Sequence, residues 1–217
     1  MPNKYDLILF DMDGTIANTD ELVVETIYEM YDLYRGGRKT PREQCYYFSG
    51  PPMRDTVTKE FPGGDVDFLV KEFGRLSKDK YAKLVTPYPN SREVKLKLKE
   101  MGIKLGVVTN KAHDMAMHCL DVIGLNDVFE ILIGSTDVKS FKPSPEGIYK
   151  AMEALGVKDK KRVLYVGDNA LDDQTAKNAG IDSCLVTWGP RILPDDVHPT
   201  YKIDDYFDLL EVIKDEN

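Results

Sequence analysis

The chain has 217 residues, with hydrophobic residues at 42%, charged residues at 30% and a formal charge of −8. These proportions fit an ordinary globular protein of one or two domains, and the acidic balance argues against nucleic acid as a partner. No apolar run approaches the roughly 18 residues of a membrane span, and the first begins too close to Met1 to leave room for a secretory signal, so no membrane contact and a cytoplasmic location are expected.

Leu7–Phe10, four apolar residues in a row, have the length and bounds of a strand buried on both faces. Asn18-Thr19-Asp20-Glu21 reads as a helix N-cap with acids in the first turn. Val23, Ile27, Met30 and Tyr34 then follow at helical spacing until Gly36-Gly37. Thr40-Pro41-Arg42-Glu43 reads as a capping box with proline at the first helical position. Past the break at Ser49-Gly50-Pro51-Pro52, the residues Met53, Val57 and Phe61 predict another helix. Past Pro62-Gly63-Gly64, the stripe of Val66, Leu69, Phe73 and Leu76 predicts one more. Between Asn18 and Val85 the pattern gives helices and no buried strand.

Pro87-Tyr88-Pro89 marks a boundary, and beyond it strands and helices alternate. Val94, Leu98 and Met101 form a helical stripe closed by Gly102. Lys104–Val108 reads as a strand, 112–123 as a helix closed by Gly124, and Ile131–Ile133 as a short strand. The pattern continues with a helix over 145–155 closed by Gly156, a strand over 163–166, a helix over 171–179 closed by Gly180, and a strand over 184–187. A weaker helix is expected around 206–213. Such alternation predicts an α/β fold, a parallel sheet with helices on both faces, joined by right-handed crossovers, that binds ligands beyond the carboxyl ends of its strands. The first strand belongs to that sheet, so the all-helical segment is an insertion. Residues 1–17 and 86–217 form the core and 18–85 the inserted block.

Two acids spaced by two, Asp11 and Asp13, follow the first strand, with Gly14 and Thr15 after them. If strand geometry carries through, both acids project from the same side of its carboxyl end. Like charges there repel unless a cation or a reaction needs them, and Gly14 lets the chain turn where a ligand would approach. The second strand ends in Thr109-Asn110-Lys111, and the fourth runs into Gly167-Asp168-Asn169-Ala170-Leu171-Asp172-Asp173. Lys142 lies in Ser140-Phe141-Lys142-Pro143-Ser144-Pro145-Glu146 between the third and fourth. Each group has a local alternative. Thr109-Asn110 could cap a helix, Lys142 could be solvated, Asp172 and Asp173 could favour a helix start, and Asp168 could serve a turn. All four falling on one sheet edge is what makes the functional reading preferable. Cys45, Cys119 and Cys184 lack CxxC spacing and read as reduced, mostly buried thiols. His113, His118 and His198 lack metal-ligand spacing.

The combination of "DMDGT", the threonine closing "GVVTN", the lysine of "FKPSPE", and "GDNALDD" followed by "NAG" resembles the haloacid dehalogenase-like hydrolase superfamily over nearly the whole chain. The resemblance implies a Rossmann-like core with a mobile helical cap of the C1 type. It implies Asp11 as nucleophile forming an aspartyl-phosphate, and Asp13 as the acid and base that protonates the leaving oxygen and then deprotonates water. It further implies Thr109 as a hydrogen-bond donor to a phosphoryl oxygen and Lys142 as the cation offsetting charge on Asp11. Mg²⁺ would be held by the carboxylates of Asp11 and Asp168 and the carbonyl oxygen of Asp13, with Asp172 as a further ligand or its support. The role of Asp173 is not assigned. An acid at Asp13 points to phosphatase or phosphomutase chemistry, because dehalogenase members lack one there.

Substrate choice is expected from the cap. Gly50-Pro51-Pro52-Met53-Arg54 resembles the cap loop of phosphoglycolate phosphatases and related bacterial pyrophosphatases. Gly50, Pro51, Arg54 and the core residue Asn110 are thus the candidate substrate-binding positions, with Arg54 suited to a carboxylate or second phosphate. The expected activity is Mg²⁺-dependent hydrolysis of a small phosphorylated metabolite such as phosphoglycolate. Pyrophosphate hydrolysis, sugar phosphomutase chemistry and non-catalytic sensing of a phosphorylated metabolite are the alternatives.

Overall fold

The computed structural model describes residues 3–214. In chain order, β1 (Leu7–Phe10) and the two-residue β2 (Ala17–Asn18) precede helices α1 (Asp20–Tyr34), α2 (Arg42–Cys45), α3 (Met53–Glu60), α4 (Val66–Lys78) and α5 (Tyr81–Leu84). After β3 (Thr86–Pro87) come α6 (Ser91–Glu100), β4 (Lys104–Val108), α7 (His113–Val122), β5 (Ile131–Ile133) and α8 (Glu146–Ala154). The chain closes with β6 (Val163–Gly167), α9 (Ala170–Ala179), β7 (Asp182–Val186), β8 (Tyr201–Ile203) and α10 (Leu209–Val212).

Six strands form one sheet in the order β5-β4-β1-β6-β7-β8, and every pairing in it is parallel. The run Leu7–Phe10 reads as continuously apolar because β1 lies between β4 and β6 with both faces covered. Its side chains alternate. Leu7 and Leu9 pack with Ile148 and Ala151 of α8 and Ala176 of α9, while Ile8 and Phe10 pack with Val94 and Leu98 of α6 and Leu120 of α7. Each such fully buried aliphatic side chain contributes roughly 1.5–3 kcal/mol.

The helices from α1 to α4 have an apolar cluster of their own, centred on Val24, Ile27, Tyr31, Val57 and Leu69. The chain leaves the sheet through β2 and returns through β3, and the two pair antiparallel, Ala17 with Pro87 and Asn18 with Thr86. The two ends of the helical block thus lie side by side.

Several local expectations fail for identifiable reasons. The helix at Asp20 begins after Thr19, but no side chain caps it, because the Thr19 hydroxyl donates to Asp13 Oδ1 at 2.7 Å instead. Pro41 is the N-cap of α2 rather than its first helical residue, and no capping box forms. The Thr40 hydroxyl donates to buried Glu60 at 2.7 Å, which also accepts from Tyr31 and Arg35. Tyr31 rather than Tyr34 completes the buried stripe of α1, and Met101 is exposed at the end of α6. β8 was not expected. It is three residues long with Lys202 at its centre, and it gains its identity only by pairing with β7.

One cation lies inside the core. Lys95 on α6 is fully buried, with Nζ 2.8 Å from Ser91 Oγ, 3.7 Å from the centre of the Tyr206 ring and 4.6 Å from that of Phe10. Burial pushes its ammonium well below the usual lysine range; the rings offset part of that cost. The folded protein therefore holds this proton less tightly than the unfolded chain, and unfolding takes one up. Stability then rises with pH between the depressed folded value and the unfolded value of about 10.4. Lys95→Met is expected to remove that slope and to stabilise the protein at neutral pH by about 1–3 kcal/mol. Urea unfolding of both proteins across the alkaline range checks this, and matching slopes would contradict it.

Candidate active site

β1, β4 and β6 run in register, with Phe10 beside Val107 on one flank and Val166 on the other. The polar residues that follow each strand therefore gather at one sheet edge. Asp11 is held there by its N–H donating to the Val166 carbonyl at 2.8 Å, and its carboxylate is almost wholly buried. Asp13 turns toward the helical block, accepting from Thr19 and pairing with Lys111 Nζ at 2.9 Å. Neither Thr109 nor Asn110 caps α7, whose N-cap is Ala112.

Lys142 enters the same edge from the loop before α8. Its Nζ is 2.8 Å from Asp11 Oδ1, 2.7 Å from Asp172 Oδ1 and 3.1 Å from the Tyr165 hydroxyl. Burial alone would lower this ammonium, but the two carboxylates outweigh it and hold the group well above its ordinary range. The other oxygen of Asp172 accepts from the N–H groups of Asp168 and Asn169, at 3.2 and 3.1 Å. Asp173, its neighbour, is spoken for elsewhere, by Ser183 at 2.7 Å and Lys177 at 2.6 Å.

Asp168 faces Arg191, whose Nε donates to Oδ2 at 2.6 Å. The same guanidinium donates through Nη1 to Asp20 Oδ1 at 2.6 Å and to the Tyr46 carbonyl at 2.9 Å. Gly14 has φ +83, and a Cβ there would strike both Arg191 and Asp168, so only glycine fits the turn.

Asp11, Asp168 and Asp172 each offer a carboxylate oxygen, all within 4.8 Å of one another. Five carboxylates at this edge, Asp11, Asp13, Asp20, Asp168 and Asp172, face three cations, Lys111, Lys142 and Arg191, leaving an excess of two negative charges. With those cations alone, burial pushes the Asp11 carboxyl up to about 6 and that of Asp168 up to about 7. Hard oxygen donors with two uncompensated charges fit a small divalent cation.

A cavity of about 220 Å³ opens between this edge and the helical block. Asp11, Asp13, Thr109, Asn110 and Lys111 line it from the sheet, and Gly50, Pro51 and Arg54 from the helices. Lys142, Asp168 and Asp172 are outside that lining. The two layers touch where Asn110 Nδ2 donates to the Gly50 carbonyl at 3.1 Å, while Asn110 Oδ1 accepts from the Lys142 N–H at 2.9 Å. Gly50 has φ +106, and a Cβ there would lie 2.9 Å from Asn169 Nδ2.

All the motif residues thus meet at one place, and two of the expected substrate-binding residues, Asn110 and Arg54, line the cavity while already engaged by other protein groups. Both ends of the Asn110 amide are used by the protein, and the exposed guanidinium of Arg54 pairs with Asp67. Four residues at the site escaped the sequence reading, among them Asp20, which had the look of a first-turn helix acid. Lys111 follows Thr109-Asn110 directly, and its place at a strand end was the available signal. Thr19 had the look of a helix cap, and Arg191 stands in a loop with no pattern around it.

The family model for haloacid dehalogenase-like hydrolases matches residues 8–186. The chain is 35% identical over 214 residues to the pyrophosphatase PpaX of Halalkalibacterium halodurans, covering 97% of each protein. It is 32% identical over 217 residues to the pyrophosphatase PpaX of Bacillus cereus, covering 99% of each. Among solved structures, a predicted phosphoglycolate phosphatase from Haemophilus somnus superposes with a TM-score of 0.86 at 24% identity, over 96% of this chain and 98% of the other. That likeness establishes the α/β Rossmann-like fold.

Arg191 lies just beyond the matched residues. Arg191→Met would leave Asp168 and Asp20 buried without their cation. The expected loss of stability is about 3–5 kcal/mol in chelator-treated protein. Urea unfolding checks it, and a loss below about 1 kcal/mol, the scale of an exposed pair, would contradict the arrangement.

Proposed function

As the chain belongs to the haloacid dehalogenase-like hydrolase family, we propose that it is a Mg²⁺-dependent phosphatase acting on a small phosphate monoester through an aspartyl-phosphate at Asp11. The observation that carries this reading is the carboxylate of Asp11, which lines the cavity beside Thr109 and Asp13 while Lys142 stands 2.8 Å behind it. A carboxylate so placed is a nucleophile for phosphorus, and the fixed ammonium offsets its repulsion of an anionic substrate.

Asp11 attacks phosphorus, forming its bond as the bond from phosphorus to the leaving oxygen breaks. Asp13 gives that oxygen a proton. In the second half Asp13 takes a proton from water, the water oxygen bonds to phosphorus, and phosphate leaves with Asp11 restored. Lys111 and Thr19 fix the Asp13 carboxylate at the cavity wall. The Thr109 hydroxyl donates to a phosphoryl oxygen. Asp172, with both oxygens engaged by protein donors, positions Lys142 and the turn at Asp168. Asp11 and Asp168 would hold Mg²⁺ together with the Asp13 carbonyl. When bound, the ion supplies positive charge at the phosphoryl group and neutralises the excess of the acids. Residues 18–85 act as the cap, closing on the core through Gly50 and Tyr46 and excluding water.

Pyrophosphate hydrolysis is a second reading, supported by the names of the relatives at 35% and 32% identity. The same residues would serve it, with phosphate as the leaving group. Phosphate release from a panel of phosphorylated metabolites in Mg²⁺ tests both readings, and silence across the panel would refute them.

Asp11→Asn is expected to lower phosphate release by at least ~10⁴-fold with the circular dichroism spectrum unchanged. Retained turnover would remove Asp11 as nucleophile. Asp13→Asn is expected to slow alkyl phosphates by about 10²–10⁴-fold, and aryl phosphates far less, because a phenoxide leaves without a proton. Equal losses on both ester types would contradict its role as acid.

A further inference from the structure

The cavity above Asp11 is walled mostly by apolar side chains on the side of the helical block. Away from the sheet edge its walls are Phe48, Met53, Val70, Phe73, Tyr81 and Met115. Met53, Val70, Phe73 and Met115 are only partly buried although apolar, so they present free hydrophobic surface to whatever enters. Two cations reach this lining. Lys111 is committed to Asp13 at 2.9 Å, and Arg54 pairs at the exposed end of α3 with Asp67. A carboxylate or second phosphate placed among these apolar walls would lose water and find a cation only by drawing Arg54 or Lys111 from its present partner. Of the neutral polar residues in the lining, Ser49, Thr109, Asn110 and Ser135, one has a buried side chain without a partner. Ser49 Oγ is buried, lines the space and has no hydrogen-bond partner.

We infer that the substrate is the phosphate ester of an apolar alcohol, with a ring-sized organic group lying against Phe73, Met53 and Met115 and room for one neutral hydrogen-bonding substituent at Ser49. The inference rests on the phosphatase reading and narrows it, away from phosphoglycolate and pyrophosphate. Size agrees. An apolar cavity of about 150 Å³ accommodates benzene, and the space here, about 220 Å³, leaves room for a phosphoryl group besides. Pockets of this kind draw affinity from apolar walls and orientation from a few polar groups.

The test compares kcat/KM for benzyl phosphate, phosphoglycolate and pyrophosphate with Mg²⁺ present. Benzyl phosphate and phosphoglycolate both release an alkoxide of similar basicity, so a difference between them reads the pocket rather than the leaving group. Benzyl phosphate is expected to be favoured at least ~10-fold over phosphoglycolate. Met53→Lys, which adds a cation at the cavity wall, is expected to lower the benzyl phosphate value and raise that for phosphoglycolate. Preference for phosphoglycolate or pyrophosphate in the wild-type protein, with benzyl phosphate poorly used, would overturn the inference and leave the phosphatase reading standing. Absence of turnover with all three would overturn both.

Discussion

Burial of acids at the end of a parallel sheet is the constraint on which the other features depend. Asp11 and Asp168 follow β1 and β6 directly, and the register of those strands forces their carboxylates together with that of Asp172. Unpaired, such charges would cost several kcal/mol each. Lys142 pairs with Asp11 and Asp172, Arg191 pairs with Asp168 and with Asp20 of α1, and both cations are themselves buried. The two charges left over are what a divalent ion would neutralise. The groups proposed to do the chemistry are thus the ones whose burial the ion pairs must offset.

These ion pairs also reach the helical block. Arg191 joins Asp168 to the Tyr46 carbonyl, and Asn110 joins the Lys142 backbone to the Gly50 carbonyl. Two of these links end on backbone atoms of the block, and two others, from Arg191 to Asp20 and from Thr19 to Asp13, run through its side chains. The chain enters and leaves the block through the antiparallel pair β2 and β3.

Much of this was legible in the sequence because strong local signals coincide with long-range ones. The continuous apolar run of β1 and the glycine-closed helices at Gly124, Gly156 and Gly180 read correctly, since burial and helix ends leave periodic marks. The motif residues Asp11, Asp13, Thr109, Lys142 and Asp168 could be gathered because a parallel sheet puts all its carboxyl ends on one edge. What escaped depends on contacts distant in sequence. Thr19 resembles a helix cap until Asp13 competes for its hydroxyl, and Thr40 resembles one until Glu60 does. Arg191 has no periodic or motif context, and its role exists only because Asp20 and Asp168 meet in space. β8 is defined by pairing alone. The commitment of Arg54 to Asp67 likewise arises from the packing of α3 on α4.

The central claim is that Asp11 carries the phosphoryl group during turnover. Rapid acid quenching of the Mg²⁺-loaded protein mixed with an aryl phosphate, followed by proteolysis and mass spectrometry, measures this directly. The expected result is one added phosphoryl mass on the peptide spanning Leu7 to Thr15, labile to hydroxylamine and localised to Asp11. Turnover under the same conditions with that peptide unmodified at every quench time, or with the label on another residue, would contradict it.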